Sequence, residues 1–130
     1  MKKIILLLIL ILLCHPAGIQ AQSVHPLQVK EIPAWVANAF TVAQKQSEAM
    51  YKEVMKDNLL PRSIQRGMVP QTDWTAGFFP GTLWYLYTYN HKEVWKKRAQ
   101  AATALMEGEQ NNAFDHDIGF KMYSCYGNGY

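Results

Sequence analysis

Asp115-His116-Asp117-Ile118-Gly119-Phe120 decides the fold, because an earlier stretch, Asp73-Trp74-Thr75-Ala76-Gly77-Phe78, shares its frame. Each places an aspartate four residues before a Gly-Phe pair, and each leads into an aromatic, helix-like run. The two Gly-Phe pairs stand 42 residues apart. A two-helix repeat of that length points to stacked hairpins, as in solenoids or α/α toroids. The two acid-bearing loops then fall at the same end of the assembly, which suggests a carboxylate site on an all-α scaffold.

Working outward, apolar positions from Ala34 to about Lys56 recur near helical spacing and predict a first helix. Asn58, Pro61 and Gly67 mark a long loop that carries Arg62 and Arg66 and runs to Asp73. A second helix is expected from near Pro80, a residue suited to a first helical turn, to about Tyr89. It is apolar almost all round, as a buried helix is. After a break at Asn90-His91, Trp95, Ala99, Ala102 and Leu105 line one side of an amphipathic third helix, expected over about Lys92 to Glu109. A fourth starts near Asp117, with Gly127-Asn128-Gly129 ending or kinking it. The order is outer, inner, outer, inner. Trp35, Trp84 and Trp95 fall on expected core positions, and dense aromatics such as Tyr123, Tyr126 and Tyr130 also read first as packing. Two hairpins alone bury little and leave faces open for a next unit.

Residues 1–21 read as a secretory signal peptide. Lys2 and Lys3 precede the apolar run Ile4 to Leu13, and a small residue, Ala21, suits cleavage. A lipoprotein anchored through Cys14 is the alternative, disfavoured by Leu13 before the cysteine. Residues 22–33, with Pro26 and Pro33, read as an extended lead-in. Lys2 and Lys3 leave with the signal, so 11 basic residues face 10 acidic ones. With no basic stripe carrying interleaved aromatics, nucleic acid is not an expected partner, nor is a membrane anchor expected. The mature chain keeps only Cys125, so it forms no internal disulfide. That lone thiol reads as a small buried apolar residue.

Asp117 is the first candidate for chemistry. Near a helix N-terminus its charged form is favoured by free amides and the helix dipole, although on sequence physics alone simple N-capping is the commoner reason for an aspartate there. Asp115 reads as a solvated loop acid. His116 could bond a substrate group or a neighbouring aspartate, or sit idle on the surface. Trp74 could stack on a sugar ring, and Asp73 beside it completes the substrate-binding candidates. His25, His91 and His116 show no clustered spacing, so no metal is expected, and no phosphate loop or nucleophile elbow is present.

The run Thr72-Asp73-Trp74-Thr75-Ala76-Gly77-Phe78-Phe79-Pro80-Gly81-Thr82-Leu83-Trp84-Tyr85-Leu86-Tyr87, with His116-Asp117-Ile118-Gly119-Phe120 and Tyr123-Ser124-Cys125-Tyr126-Gly127-Asn128-Gly129-Tyr130, closely resembles the unsaturated glucuronyl hydrolases, glycoside hydrolase family 88. The resemblance implies that residues 34–130 are the N-terminal part of an (α/α)6 toroid, truncated on the C-terminal side. It implies removal of 4,5-unsaturated uronic acid from lyase-generated glycosaminoglycan oligosaccharides by vinyl ether hydration, without a cofactor. It makes Asp117 one of two essential aspartates, His116 its substrate-contacting neighbour and Trp74 an aromatic lining the sugar site. The second aspartate, the proton donor, would lie beyond residue 130, so the chain alone is expected to be inactive. Secretion, to the periplasm in a double-membraned host, is the expected location. Two alternatives stand beside this reading. One is an unsaturated rhamnogalacturonyl hydrolase acting on pectin fragments; the other is a non-catalytic helical-repeat interaction protein.

Overall fold

Helical periodicity turns into helices close to where the spacing places them. The computed structural model describes residues 31–130, so the signal peptide and most of the lead-in lie outside the described residues. The elements are α1 (Ala34–Asp57), β1 (Leu60–Ser63), β2 (Gly67–Val69), α2 (Phe78–Asn90), α3 (Glu93–Ala104) and the short α4 (Ile118–Met122). A 3-10 turn, Glu109–Asn111, precedes α4, and a wide π turn, Tyr123–Gly127, continues it. No helix among the described residues is long and apolar enough to cross a membrane.

Helix α1 packs through Phe40, Ala43, Ser47, Met50 and Val54, one stripe at three- and four-residue steps. Trp35 departs from its expected core role and is 73% exposed. It lies five positions before Phe40, so it falls off that stripe. Helix α1 stops where Asn58 turns left-handed at φ 52°, a conformation that asparagine tolerates better than most residues. Helix α2 stops in the same way at His91, φ 53°, whose N–H donates to the Tyr87 carbonyl at 2.7 Å.

The long loop expected before Asp73 contains an antiparallel hairpin instead. Leu60 pairs with Val69 and Pro61 with Met68, and the register is irregular between Pro61 and Ser63. The strands are four and three residues long, and one holds a proline, so neither shows the alternation that announces a strand. Gly67 turns the chain at φ 65°. Leu60 is buried and anchors the hairpin to the core.

Helix α2 is the centre of the packing. Phe79, Leu83, Trp84 and Leu86 are buried, while Phe78 and Tyr85 remain exposed. Trp84 donates its Nε1–H to Thr103 Oγ1 at 3.0 Å, tying α2 to α3. Gln44 Oε1 accepts from Asn90 Nδ2 at 2.9 Å and from Trp95 Nε1 at 3.3 Å, tying α1 to both. Phe40 and Tyr89 stack with centroids 3.8 Å apart. Helix α3 buries Trp95, Ala99 and Ala102 as its amphipathic pattern requires, but ends at Ala104 rather than near Glu109. Gly108, at φ 101°, takes the turn there.

Helix α2 meets the α4 segment at very close range. A Cβ on Gly77 would overlap the Lys121 carbonyl, and one on Gly81 would overlap the Ser124 carbonyl. These glycines stand one helical turn apart and let two backbones touch. Tyr123 and Tyr130, expected to pack, are exposed, and Tyr126 is 41% exposed. Packing of α2 against α4 runs through small residues, which leaves those rings outside. Gly81→Ala should therefore destabilise the protein by about 1–3 kcal/mol, the cost of an overpacked contact. Denaturant unfolding measures it, and an unchanged midpoint would contradict the close approach.

Candidate functional site

Two loops meet at the start of the inner helices, and each is organised by its own aspartate. In the first, Asp73 Oδ1 accepts the Thr75 N–H at 2.9 Å and the Thr75 hydroxyl at 2.7 Å. Its Oδ2 pairs with Arg62, delivered by the β-hairpin. Burial pushes the Asp73 carboxyl upward, but the Thr75 hydrogen bonds and the Arg62 guanidinium outweigh it, leaving the pKa below 3.8. Arg62 also lies 5.9 Å from the Trp74 ring centroid. Trp74 remains 41% exposed and makes edge contacts with Phe78 and Phe120, centroids 5.8 and 6.3 Å apart. The ring is partly accessible between these neighbours, which keeps it a candidate for stacking on a sugar.

In the second loop, Asp117 occupies the N-cap position of α4 but makes no side-chain cap hydrogen bond. Capping therefore does not use its carboxylate. Its Oδ2 lies 3.4 Å from His116 Nε2, and the histidine is 92% exposed. The turn itself is made by Asp115, whose Oδ1 accepts the Asp117 N–H at 2.9 Å. Asp115 is thus not the solvated acid its loop position suggests, because its Oδ2 lies 2.7 Å from Lys121 Nζ. The Lys121 hydrogen bond and then the Asp117 amide hold the Asp115 pKa below its ordinary value.

Lys121 joins the two loops. It is fully buried, and Nζ donates to Glu109 Oε2 at 2.6 Å and to the Thr72 carbonyl at 3.2 Å. Desolvation works against its charge, but Asp115 and Glu109 prevail and raise its pKa above 10.5. Asp73 and Asp117 consequently lie on neighbouring loops, as their parity in the repeat requires, although each carboxylate has its own partners. Lys121, Glu109 and Arg62 were not candidates from sequence. The available signal was a single lysine between Phe120 and Met122 in an otherwise apolar helical run. Cys125 is buried as expected, and desolvation raises its thiol pKa.

Asp115, His116 and Asp117 bring ligand-type atoms within 4.8 Å of one another. Within that group Asp115 already accepts from Lys121 and from the Asp117 amide.

Helical hairpins with acid and aromatic loops gathered at one end define an α/α scaffold with a candidate site at that end. No protein-family profile matches the chain. The chain is, however, 42% identical over 72 residues to an unsaturated glucuronyl hydrolase of Formosa agariphila, covering 55% of this chain and 18% of that protein. Its fold matches the crystal structure of an unsaturated glucuronyl hydrolase specific for heparin, with a TM-score of 0.58 and 31% identity. That match covers 72% of this chain and 27% of the other. The chain thus spans about a fifth to a quarter of the length of these relatives. Both bear out the resemblance to the unsaturated glucuronyl hydrolases and the reading of the helices as hairpins of their toroid.

The charge network sets an expected pH window for stability. Asp73 and Asp115 have lowered folded pKa values, so their contribution is present above their unfolded values and lost as pH falls through the folded ones. Lys121 has a raised value, so its contribution is present below its unfolded value and lost as pH rises through the folded one. Stability should be flat between about pH 5 and 10 from these groups and fall on either side. In Asp73→Asn the acid-side fall should be shallower, as thermal unfolding across pH would report.

Proposed function

We propose that the natural protein carrying this chain is a glycoside hydrolase that removes 4,5-unsaturated uronic acid from the non-reducing end of lyase-generated glycosaminoglycan oligosaccharides. The observation that carries this reading is the meeting of the Asp73-Trp74 and His116-Asp117 loops over one buried lysine. The heparin specificity of the structural neighbour supports the glycosaminoglycan side, and the signal peptide expected over residues 1–21 would carry the protein to a polymeric substrate outside the cell.

The reaction adds water across the double bond, placing a proton on C4 and a hydroxyl on C5. The resulting hemiketal opens and the next sugar leaves. Positive charge builds on C5 and the ring oxygen as the proton arrives. A carboxylate held beside the ring stabilises that charge, and in a preorganised site such stabilisation is large. Asp117 fits the task because its side chain is not committed to capping. His116, exposed beside it, can donate to a sugar hydroxyl or carboxylate, and the partly exposed Trp74 can pack against the ring.

Asp117→Asn in the full-length protein should lower kcat by about 10²–10⁴-fold with the fold retained. Trp74→Ala should raise KM roughly tenfold, about 1.4 kcal/mol of binding. Loss of the ultraviolet absorbance of an unsaturated disaccharide follows both. Near-normal turnover in Asp117→Asn would overturn the assignment. A panel of glycosaminoglycan and pectin fragments then separates the glucuronyl from the rhamnogalacturonyl substrate.

A further inference from the structure

Asp117 stands on a turn whose other end is a buried charge. Lys121 is fully excluded from solvent, and an ammonium has three donors. All three are satisfied: by Glu109 Oε2 at 2.6 Å, Asp115 Oδ2 at 2.7 Å and the Thr72 carbonyl at 3.2 Å. The partners come from three segments: the 3-10 turn, the acid loop and the loop of Asp73. Asp115 then passes the constraint on, because its second oxygen accepts the Asp117 N–H at 2.9 Å. One carboxylate therefore connects a buried ammonium to the backbone of the candidate catalytic residue. Glu109 is held in turn by Asn112 Nδ2 at 3.2 Å.

We infer that Asp115 and Lys121 are positioning residues that fix the Asp117 carboxylate relative to the Asp73-Trp74 loop. The inference rests on the hydrolase reading above. Neither side chain need touch substrate. A buried ion pair contributes little net stability compared with an apolar pair of the same shape, but losing one of its partners is strongly unfavourable, which favours the arrangement that keeps them all. Here that arrangement spans 49 residues of sequence, from Thr72 to Lys121. Displacing a reacting group by about 1 Å can cost 10²-fold in rate, so tethering the Asp117 turn bears directly on turnover. His116 and Asp117 are the other ionisable groups on the loop, and Arg62 with Asp73 forms a separate pair on the neighbouring one.

Two substitutions separate positioning from plain structural support. Asp115→Asn keeps an oxygen that can accept the Asp117 N–H and removes the charge facing Lys121. Asp115→Ala removes both. Each leaves Lys121 without one anionic partner, and Asp115→Ala also strips the Asp117 N–H of its acceptor, so its loss in Tm should be the larger. In the full-length protein, assayed on an unsaturated glucuronyl disaccharide, Asp115→Ala should lower kcat about 10²-fold with KM within about twofold. Asp115→Asn should stay within roughly tenfold of the parent kcat. Hydrogen exchange at the Asp117 amide should accelerate in Asp115→Ala and stay protected in Asp115→Asn. Equal kcat and equal Asp117 exchange in the two variants would overturn the inference. A parent enzyme that leaves the disaccharide intact would instead sink the hydrolase reading, and the exchange comparison would still decide whether Asp115 holds Asp117.

Discussion

The ammonium of Lys121 is the constraint on which the rest of the structure depends. It is buried among the starts of the inner helices, and a charge there is tolerable only when its partners are in place. Glu109 and Asp115 must therefore arrive from one side and the Thr72 carbonyl from another. That requirement draws the 3-10 turn, the acid loop and the aromatic loop to a common point. Hydrophobic burial drives the helices together, but it is indifferent to small shifts of loops. The ammonium is not indifferent, and this converts a packed bundle into one with a defined end.

Close backbone contact complements that charge. Gly77 and Gly81 let α2 lie against the carbonyls of Lys121 and Ser124. The same contact that seats the inner helices thus brings the Lys121 side chain within reach of the Thr72 loop. Side-chain pairs such as Trp84 with Thr103 and Gln44 with Asn90 then lock the outer helices around the inner one. The candidate site is built on the meeting of two inner-helix starts, with the β-hairpin supplying Arg62 from outside the repeat.

Much of this was legible in the sequence because helical spacing and loop parity are periodic signals. The 42-residue offset placed the Asp73 and Asp117 loops at one end, and the three- and four-residue steps placed Trp84, Trp95 and Ala99 inside. What escaped was set by tertiary partners. Asp115 looks like any loop acid until Lys121 is opposite it. Trp35 and Tyr123 look like core until the packing stripe is seen to pass them by. The hairpin at Leu60–Val69 hides because short strands containing proline carry no alternation. Motif resemblance offers Asp117, His116 and Trp74 as candidates, but it says nothing of what holds them.

The wide turn at Tyr123–Gly127 carries a further consequence. A π turn accommodates one more residue than an α turn, so everything after it is rotated by about 100° relative to a regular helix. That offset lays Gly129 on the Trp84 indole, where an added Cβ would come within 2.7 Å of the ring. Trimming one residue from the turn would restore ordinary helical phase and swing the Gly129 backbone away from Trp84. The chain beyond would then leave the bundle on a different bearing, with Lys121, upstream of the change, keeping its place. The turn thus works as a phase adjuster between the Asp117 start of the helix and the residues that follow Gly127.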